Sequence, residues 1–330
     1  MFTLSVVTHE ITEQPHAPLG PGAEFDIIRR LLSRWNGVSG GTGDDAALVE
    51  VPPGHQLVVS TDTSVENVHF RRSWLTAREI AYRAGAAALS DLAAMGATSL
   101  GMTVALTLPE SWRAESIALA DGLADIARET RTPIVGGDLT RGAELSLGIT
   151  AFGAVVIPLR RSGAQPGDSI WVTGCLGGPR LALQAFERGT APLAAHRERF
   201  ARPVPRFSEA AWLRAHGATA AMDCSDGLAA DLTHLAAASG VRMLLHLDRL
   251  PRIDGASEDD AARSGEEYEL IVTAPATLDA RAFEATFGLP VTAVGIVEQR
   301  GHDGSSVIAL RAGLEVSFPS GHDHFAQENG

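Results

Sequence analysis

Aspartates placed beside glycines or near short apolar segments are the feature that most restricts how this chain can fold. The first pair, Asp44 and Asp45, follows a glycine-rich turn and leads into the apolar run at residues 46–49. Two adjacent carboxylates ahead of a strand that should be buried are costly unless something cationic meets them. Carboxylates collected from several places therefore predict a hard-cation site that the fold assembles. The other aspartates of this kind are Asp62, Asp91, Asp138, Asp223 and Asp226.

Composition limits the class of protein and its partners. The 330 residues are long enough for two domains, and contents of 45% hydrophobic and 20% charged residues are ordinary for a soluble protein. A net charge of −13 argues against a nucleic-acid or anionic-membrane partner. No apolar run reaches the roughly 18 residues that a membrane span needs.

The termini and cysteines point to the cytoplasm. Residues 1–23 lack the basic and apolar regions of a signal peptide, so we expect a flexible arm there. Cys175 and Cys224 lie far apart and outside any C-x-x-C pattern, which predicts neither a disulfide framework nor a zinc site.

The chain contains no lysine, since all 27 basic residues are arginine. This excludes the P-loop lysine, the protein-kinase strand lysine and any Schiff-base lysine. If the protein handles ATP, it must do so through metal ions, backbone amides and arginine.

The order of periodic segments predicts an α+β protein of two domains. Residues 24–156 mix hairpins with crossovers, so we expect a mixed sheet there rather than a doubly wound one. Residues 158–168 read as a linker, and residues 157–330 are expected to form an α/β sandwich-like domain. Strands are expected near 45–51, 56–62, 100–108, 133–135, 144–156, 169–173, 221–223, 241–247, 268–272, 291–298 and 306–311, and helices near 24–35, 76–95, 111–130, 179–188, 206–216, 226–239 and 278–287.

Helix-end signals sharpen two of these predictions. Thr76 with Glu79 forms a capping-box signature at the start of the second helix. Ser225-Asp226 could cap a helix that ends at Gly240. Asp226 is therefore open to two interpretations, a helix cap or a metal ligand.

A formal match to the dinucleotide fingerprint G-x-G-x-x-A at residues 41–46 is rejected. That motif offers backbone amides to pyrophosphate, whereas Asp44 and Asp45 would repel it. Magnesium placed between the carboxylates and a polyphosphate turns this repulsion into attraction. Because Mg²⁺ usually takes only one or two carboxylates, six separate aspartates predict several ions.

Four other segments allow more than one interpretation. His69 could contact a substrate or be a half-buried histidine in a turn. Residues 264–270 could be a solvated acidic loop. Residues 322–325 resemble a metal-ligand cluster but lack a third soft ligand for zinc. The carboxylates beside Cys224 should raise the pKa of its thiol, so we interpret it as a packing residue.

Taken together, the motifs resemble the thiamine-monophosphate kinase family, of the superfamily that includes aminoimidazole ribonucleotide synthetase and selenophosphate synthetase. They follow the family's order from about residue 24 to the end. The matching stretches are Gly43-Asp44-Asp45-Ala46-Ala47, Ser60-Thr61-Asp62-Thr63, Asn67-Val68-His69-Phe70, Leu89-Ser90-Asp91-Leu92-Ala93-Ala94-Met95-Gly96-Ala97, Gly136-Gly137-Asp138-Leu139-Thr140-Arg141-Gly142, Arg161-Ser162-Gly163-Ala164, Asp223-Cys224-Ser225-Asp226-Gly227-Leu228, Gly265-Glu266-Glu267-Tyr268-Glu269-Leu270 and Asp323-His324-Phe325.

The resemblance implies phosphorylation of thiamine monophosphate by ATP, giving thiamine diphosphate. It also implies a homodimer in which the amino-terminal domains pair into a shared barrel, with ATP bound between the two domains. The roles it implies are magnesium ligands at Asp45, Ser60, Thr61, Asp62, Asp91, Asp138, Asp223 and Asp226, ATP contacts at Gly137, Asp138, Arg161 and Ser225, and substrate contacts at His69, Glu266 and His322.

Two departures from the family pattern bear on the substrate. Glu267 replaces the family's usual aspartate, and His322 stands where the family has a tyrosine or tryptophan that would stack on the thiamine moiety. We expect weaker binding of the substrate ring as a result.

The implied chemistry needs no general base, because the acceptor phosphate, with a second pKa of about 6, is already ionised. One alternative is a Mg-nucleotide-binding homologue that is non-catalytic or has another specificity. The selenophosphate branch relies on an amino-terminal cysteine or selenocysteine and a lysine, which this chain lacks.

Overall fold

The computed structural model describes residues 18–301 and 305–317. Two compact units divide the described chain: one contains the described residues up to Ala88 together with Ser99–Ala154, and the other contains Leu89–Thr98 together with the described residues from Val155 onward. One unit holds a four-stranded sheet and the other a seven-stranded sheet. The expected two-domain α+β architecture with mixed sheets is therefore confirmed. No helix in the described part of the chain is both long and apolar enough to cross a membrane.

The first unit is built on the four-stranded sheet, in the order β1-β4-β2-β3. Helix α2 begins in this unit and enters the second at Leu89. The elements are α1 (Ala23–Arg34), β1 (Gln56–Val65), α2 (Ala77–Ala94), β2 (Thr98–Thr107), α3 (Ser116–Thr130), β3 (Ile134–Thr140) and β4 (Ser146–Val155).

Small residues allow α2 and α3 to approach very closely. A Cβ atom built on Gly122 of α3 would lie 2.0 Å from the carbonyl oxygen of Arg78 in α2. The predicted capping box at the start of α2 is confirmed, since the Thr76 backbone N–H donates to Glu79 Oε2 (2.8 Å) and the Glu79 N–H donates to Thr76 Oγ1 (3.3 Å).

The second unit is built on the seven-stranded sheet, in the order β11-β10-β7-β9-β5-β8-β6. Successive residues of the interior strand β5 enter different cores, Ile170 on one side and Trp171 on the other, so apolar side chains cover both faces. Its elements are β5 (Ser169–Thr173), α4 (Gly178–Glu187), α5 (Ala194–Ala201), α6 (Phe207–Ala215), β6 (Ala220–Asp223), α7 (Leu228–Ser239), β7 (Val241–His246), α8 (Glu258–Arg263), β8 (Leu270–Ala274), α9 (Ala280–Phe287), β9 (Val291–Gln299), β10 (Val307–Arg311) and β11 (Leu314–Val316).

Three strand predictions in the first unit were wrong. Residues 45–51, all described, form no strand, because no described strand pairs with this apolar run. Strand β1 continues to Val65, so Asp62 lies inside it rather than at its end. Asp138 lies within β3 instead of following it, because pairing with Ala105 of β2 extends the strand.

Two helix predictions also need correction. The expected helix at 111–130 begins with a 3₁₀ segment, Glu110–Glu115, and becomes α-helical only at Ser116. Asp226 does not cap α7, whose N-cap is Gly227 without a side-chain hydrogen bond. The predicted end of α7 at Gly240 is confirmed by its left-handed conformation (φ 66°).

We predict that Gly122→Ala destabilises the protein by about 1–3 kcal/mol, the usual cost of forcing extra volume into a packed interface. The new methyl group would overlap the Arg78 backbone, which has no flexible side-chain end to move aside. Urea unfolding measures the change. Gly20→Ala is the matched control, since nothing lies within 4 Å of a Cβ atom there. Equal stability of the two variants would contradict the close α2–α3 packing.

Candidate active site

The carboxyl end of β6 carries a buried carboxylate in the second unit. Asp223 is 4% exposed, and the Ser90 hydroxyl donates a 2.6 Å hydrogen bond to its Oδ2 atom. Burial, followed by the negative charge of Asp91, raises the pKa of Asp223 to about 7. The structure thus brings together Asp91 and Asp223, which are more than a hundred residues apart in sequence.

Arg161 is held near the same carboxylate by its backbone. The Arg160 carbonyl accepts from the N–H of Ala221 (2.9 Å), and the Arg161 carbonyl accepts from the Ser239 hydroxyl (2.9 Å). The positive charge of Arg161 lowers the pKa of Asp223, though less than burial and Asp91 raise it. The predicted ATP contact therefore lies within electrostatic reach of a predicted metal ligand.

The segment between β6 and α7 is joined to residues 264–269 by main-chain hydrogen bonds. The N–H of Glu266 donates to the carbonyl of Ser225 (2.7 Å), and the N–H of Tyr268 donates to the carbonyl of Cys224 (2.9 Å). These bonds place the predicted substrate contact Glu266 beside the predicted ATP contact Ser225. Asp226 follows Ser225 in the same turn and is half-buried.

The acidic segment is not a solvated loop, which was its default interpretation. The Glu267 and Glu269 side chains are 0% exposed and pair with arginines. Burial alone would raise the pKa of Glu269, but attraction to Arg199 and Arg206 outweighs it and holds that pKa below its usual range.

Asp231 is a buried acid that the sequence analysis missed. It lies in α7 with 0% exposure, and no described residue makes a well-aligned hydrogen bond to either of its carboxyl oxygens, although the Asp226 N–H and the Cys224 thiol lie near enough to lower its pKa. Burial, then the charges of Asp223 and Asp226, raise its pKa to about 8. An aspartate adjacent to Leu232, on the apolar face of a predicted helix, was the signal that could have found it.

The burial of Cys224 agrees with the prediction that it is a packing residue. It is fully buried, and burial, followed by the charge of Asp231, raises the pKa of its thiol well above the ordinary value.

The predicted metal ligands of the first unit are spread over one sheet. Ser60, Thr61 and Asp62 lie in β1, whereas Asp138 lies in β3 at the opposite edge. Three inter-strand spacings of roughly 4.8 Å separate these strands, so a single ion cannot bridge Asp62 and Asp138 of one chain. Asp45 is exposed in an irregular segment, where its N–H donates to Asp44 Oδ1 (2.9 Å).

Gly137 is required by the packing of the sheet. A Cβ atom there would lie 2.1 Å from the carbonyl oxygen of Val104 in β2. Strand packing therefore requires a glycine at position 137, independently of any contact with ATP.

His69 lies half-buried in a turn after β1, as one of its two interpretations expected. The N–H of Val65 donates to its Nδ1 atom (3.2 Å), and Arg83 donates to its carbonyl (2.9 Å). Because Nδ1 accepts a hydrogen bond, the neutral ring carries its proton on Nε2.

Two site predictions fall on residues outside the described part of the chain, His322 and the cluster at 322–325. Within the described residues, no group of three or more histidine, cysteine, aspartate or glutamate side chains is arranged to hold a metal ion.

Models of known protein families match both parts of the chain. The family model for the N-terminal domain of AIR synthase related proteins matches residues 43–155, and that for the C-terminal domain matches residues 165–308. The thiamine-monophosphate kinase of Salmonella typhimurium is 37% identical over 325 residues, covering 92% of this chain and 98% of the relative.

Solved structures show the same likeness. The crystal structure of thiamine-monophosphate kinase from Stenotrophomonas maltophilia K279a has a TM-score of 0.77 and 39% identity, covering 87% of this chain and 96% of that chain. A structure of AaThiL complexed with AMPPCP and TMP has a TM-score of 0.72 and 27% identity, covering 91% and 96%. The chain belongs to the thiamine-monophosphate kinase family.

Proposed function

We propose that this protein transfers the γ-phosphoryl group of ATP to the phosphate of thiamine monophosphate, forming thiamine diphosphate and ADP. Family membership supports the proposal, and one geometric observation carries it. The buried Asp223 carboxylate lies close to Asp91 and next to the segment of Ser225 and Glu266. This arrangement favours a cation, and cations bridging to phosphates are how a lysine-free chain can hold ATP.

The residues present fit magnesium. Asp231 has two buried carboxyl oxygens without a well-aligned hydrogen bond from the described residues, and the pKa of Asp223 is raised, so the segment around β6 accumulates negative charge that a cation would relieve. Carboxylate and hydroxyl oxygens are the hard donors that Mg²⁺ prefers, and it completes its shell with waters and phosphate oxygens. When bound, the ions would neutralise charge on the transferring phosphoryl group. The proposed ligands are Asp45, Ser60, Thr61, Asp62, Asp91, Asp138, Asp223 and Asp226.

The chain's own groups would position the phosphates. Arg161 supplies a permanent positive charge, and Ser225 and the Gly137 backbone would bind ATP beside Asp138. His69 accepts a hydrogen bond at Nδ1, so its Nε2–H would be the group that donates to a phosphate oxygen of the substrate. Glu266 would bind the thiamine moiety together with His322.

We further propose a cytoplasmic homodimer with residues 24–156 as its dimerisation and Mg-ATP domain and 157–330 as the domain completing the site. The observation supporting the dimer is an apolar surface on the edge strand β1, where Leu57 is 51% and Val59 is 52% exposed. A second copy that extends the four-stranded sheet into a barrel would cover these side chains and remove the open edge.

The alternative is a family member that binds Mg-nucleotide without acting on thiamine monophosphate. The histidine at position 322, where the family has a tyrosine or tryptophan, favours this alternative. An imidazole stacks on a thiamine ring over less area than an indole does.

An assay for ADP formation decides the function, with Asp45→Asn as the informative variant. We expect the wild-type chain to form ADP only when both Mg²⁺ and thiamine monophosphate are added. Loss of the proposed ligand should lower kcat about 100-fold or more, equivalent to ~2.7 kcal/mol of transition-state stabilisation.

Asp44→Asn is the matched control for this experiment. It removes the same charge one residue away and keeps an oxygen that can accept the Asp45 N–H. We expect its kcat to stay within about threefold of wild type. Magnesium-independent turnover, or no turnover on thiamine monophosphate by a folded wild-type protein, would contradict the proposal.

Metal-free stability should depend on pH through Asp223. The pKa of this group is 3.8 in an ordinary aspartate but about 7 in the folded protein, so the folded state keeps a proton that the unfolded state releases between these values. Its contribution to stability is complete below the lower pKa and is lost as the pH rises through the upper one.

Asp223→Asn should therefore raise the Tm in EDTA at about pH 8 by about 2–4 °C, the shift that ~1 kcal/mol produces in a domain of 150–250 residues. At about pH 5 the gain should be smaller. The exposed Asp248 provides the control variant Asp248→Asn, which should show no such trend. A Tm difference that is the same at both pH values would rule out the buried charge as its cause.

The dimer proposal predicts that Val59→Glu produces monomers, because a charge would be buried where the two sheets join. Light scattering coupled to size-exclusion chromatography measures the mass. Leu314→Glu is the control, since Leu314 is 73% exposed on β11 of the second unit. A Val59→Glu variant that keeps the dimer mass, or a monomeric wild type, would overturn the proposed interface.

A further inference from the structure

Residues 266–268 adopt a backbone conformation that their side chains disfavour. Glu266 and Tyr268 both have positive φ angles, 57° and 54°, in the left-handed region that favours glycine. Such a backbone persists only where surrounding contacts determine it. The segment lies close against its neighbour, since a Cβ atom on Gly265 would lie 2.8 Å from the Ser225 carbonyl oxygen.

The side chain of Glu267, the residue between these two, is held by a hydrogen bond to each of its carboxyl oxygens. One carboxyl oxygen of Glu267 accepts the N–H of Gly177, the N-cap of α4, and the other accepts from Arg199 Nη2 (3.0 Å). The Glu267 side chain is 0% exposed, so no water competes for these bonds. A buried carboxylate with two donors anchors the backbone that carries it.

Arg199 bridges Glu267, in the middle of the segment, and Glu269, which follows the segment. Its Nη1 atom lies 2.8 Å from Glu269 Oε1 while its Nη2 atom binds Glu267. Arg199 comes from α5, a helix that the sequence analysis did not predict. The planar guanidinium can reach two carboxylates at once, which an ammonium group on a single stem cannot reproduce.

Arg206 provides an internal comparison. It binds Glu269 through Nε (3.0 Å) and Nη2 (2.6 Å), and its side chain is 10% exposed, but it forms no hydrogen bond or salt bridge with Glu267 among the described residues. Both arginines therefore compensate buried charge, whereas only Arg199 pairs with the residue between the two left-handed positions.

We propose that Arg199 and Glu267 are positioning residues that hold Glu266 in place for the phosphate-acceptor substrate. The inference rests on the proposed function and extends it. It states that the buried Arg199–Glu267 ion pair determines where Glu266 lies when the acceptor substrate binds. Residues 224–226 share two main-chain hydrogen bonds with residues 266–268, but they also lie between β6 and α7, which hold them from either side. We therefore expect loosening of residues 266–268 to affect the acceptor more than ATP.

Steady-state kinetics of the full-length chain with Arg199→Lys and Arg206→Lys tests this. Lysine keeps the positive charge at each position but lacks the planar guanidinium group that binds two carboxylates. We expect Arg199→Lys to raise the KM for thiamine monophosphate about tenfold and the KM for ATP less than about twofold. Arg206→Lys should leave the ratio of the two KM values unchanged, even where both variants lower the Tm similarly.

Glu267→Gln supplies the second variant, needed where Arg199→Lys does not fold. It keeps the side-chain volume and the oxygen for Gly177, and it should also raise the acceptor KM selectively. Equal effects on both KM values, or equal KM ratios in the Arg199 and Arg206 variants, would overturn the positioning role. These outcomes differ from failure of the proposed function, in which the wild-type chain itself shows no turnover and both proposals fall.

Discussion

The burial of negative charge around the end of β6 is the constraint on which the second unit depends. Asp223 and Asp231 are both nearly inaccessible to solvent, and Asp91 adds its charge to the same region. The Ser90 hydroxyl and the Arg161 charge favour the ionised form of Asp223, but burial and Asp91 outweigh them. A protein that keeps such a cluster of buried carboxylates must either hold protons on them or bind cations from solution beside them.

The second unit treats its buried acids in two ways. Glu267 and Glu269 are paired with Arg199 and Arg206, which hold the pKa of Glu269 below its usual range, whereas burial still raises the pKa of Glu267. The carboxyl oxygens of Asp231 have no such partner among the described residues. In a chain without lysine, arginine is the only permanently cationic side chain, so a buried acid that arginine does not neutralise must hold a proton or meet a cation. The charges of the proposed ligands Asp223 and Asp226 act on Asp231 in this region, and this concentration of negative charge supports a metal-assisted phosphoryl transfer without a protein general base.

Local patterns predicted most of the elements and failed where pairing partners mattered. The Thr76–Glu79 capping box and the glycine end of α7 depend on residues within one helical turn, so the sequence was sufficient for them. The expected strand at 45–51 had the right composition but no strand beside it. Asp138 lies inside β3 because β2 supplies a partner at Ala105. The place of Asp231 beside Leu232 on the apolar face of α7 was a local signal, but the extent of its burial depends on what packs against that face.

By itself, the sequence determined the chemical inventory: scattered aspartates beside glycines, no lysine, an acidic net charge and motifs sufficient to indicate the family. It also determined the two-domain α+β architecture, because strand and helix periodicities are local. Only the tertiary structure decided which acids are buried, which are paired with arginine and which raise one another's pKa. The physical reason is that desolvation and Coulomb interactions depend on distance through space. Ser90 and Asp223 share a hydrogen bond across 133 residues of sequence.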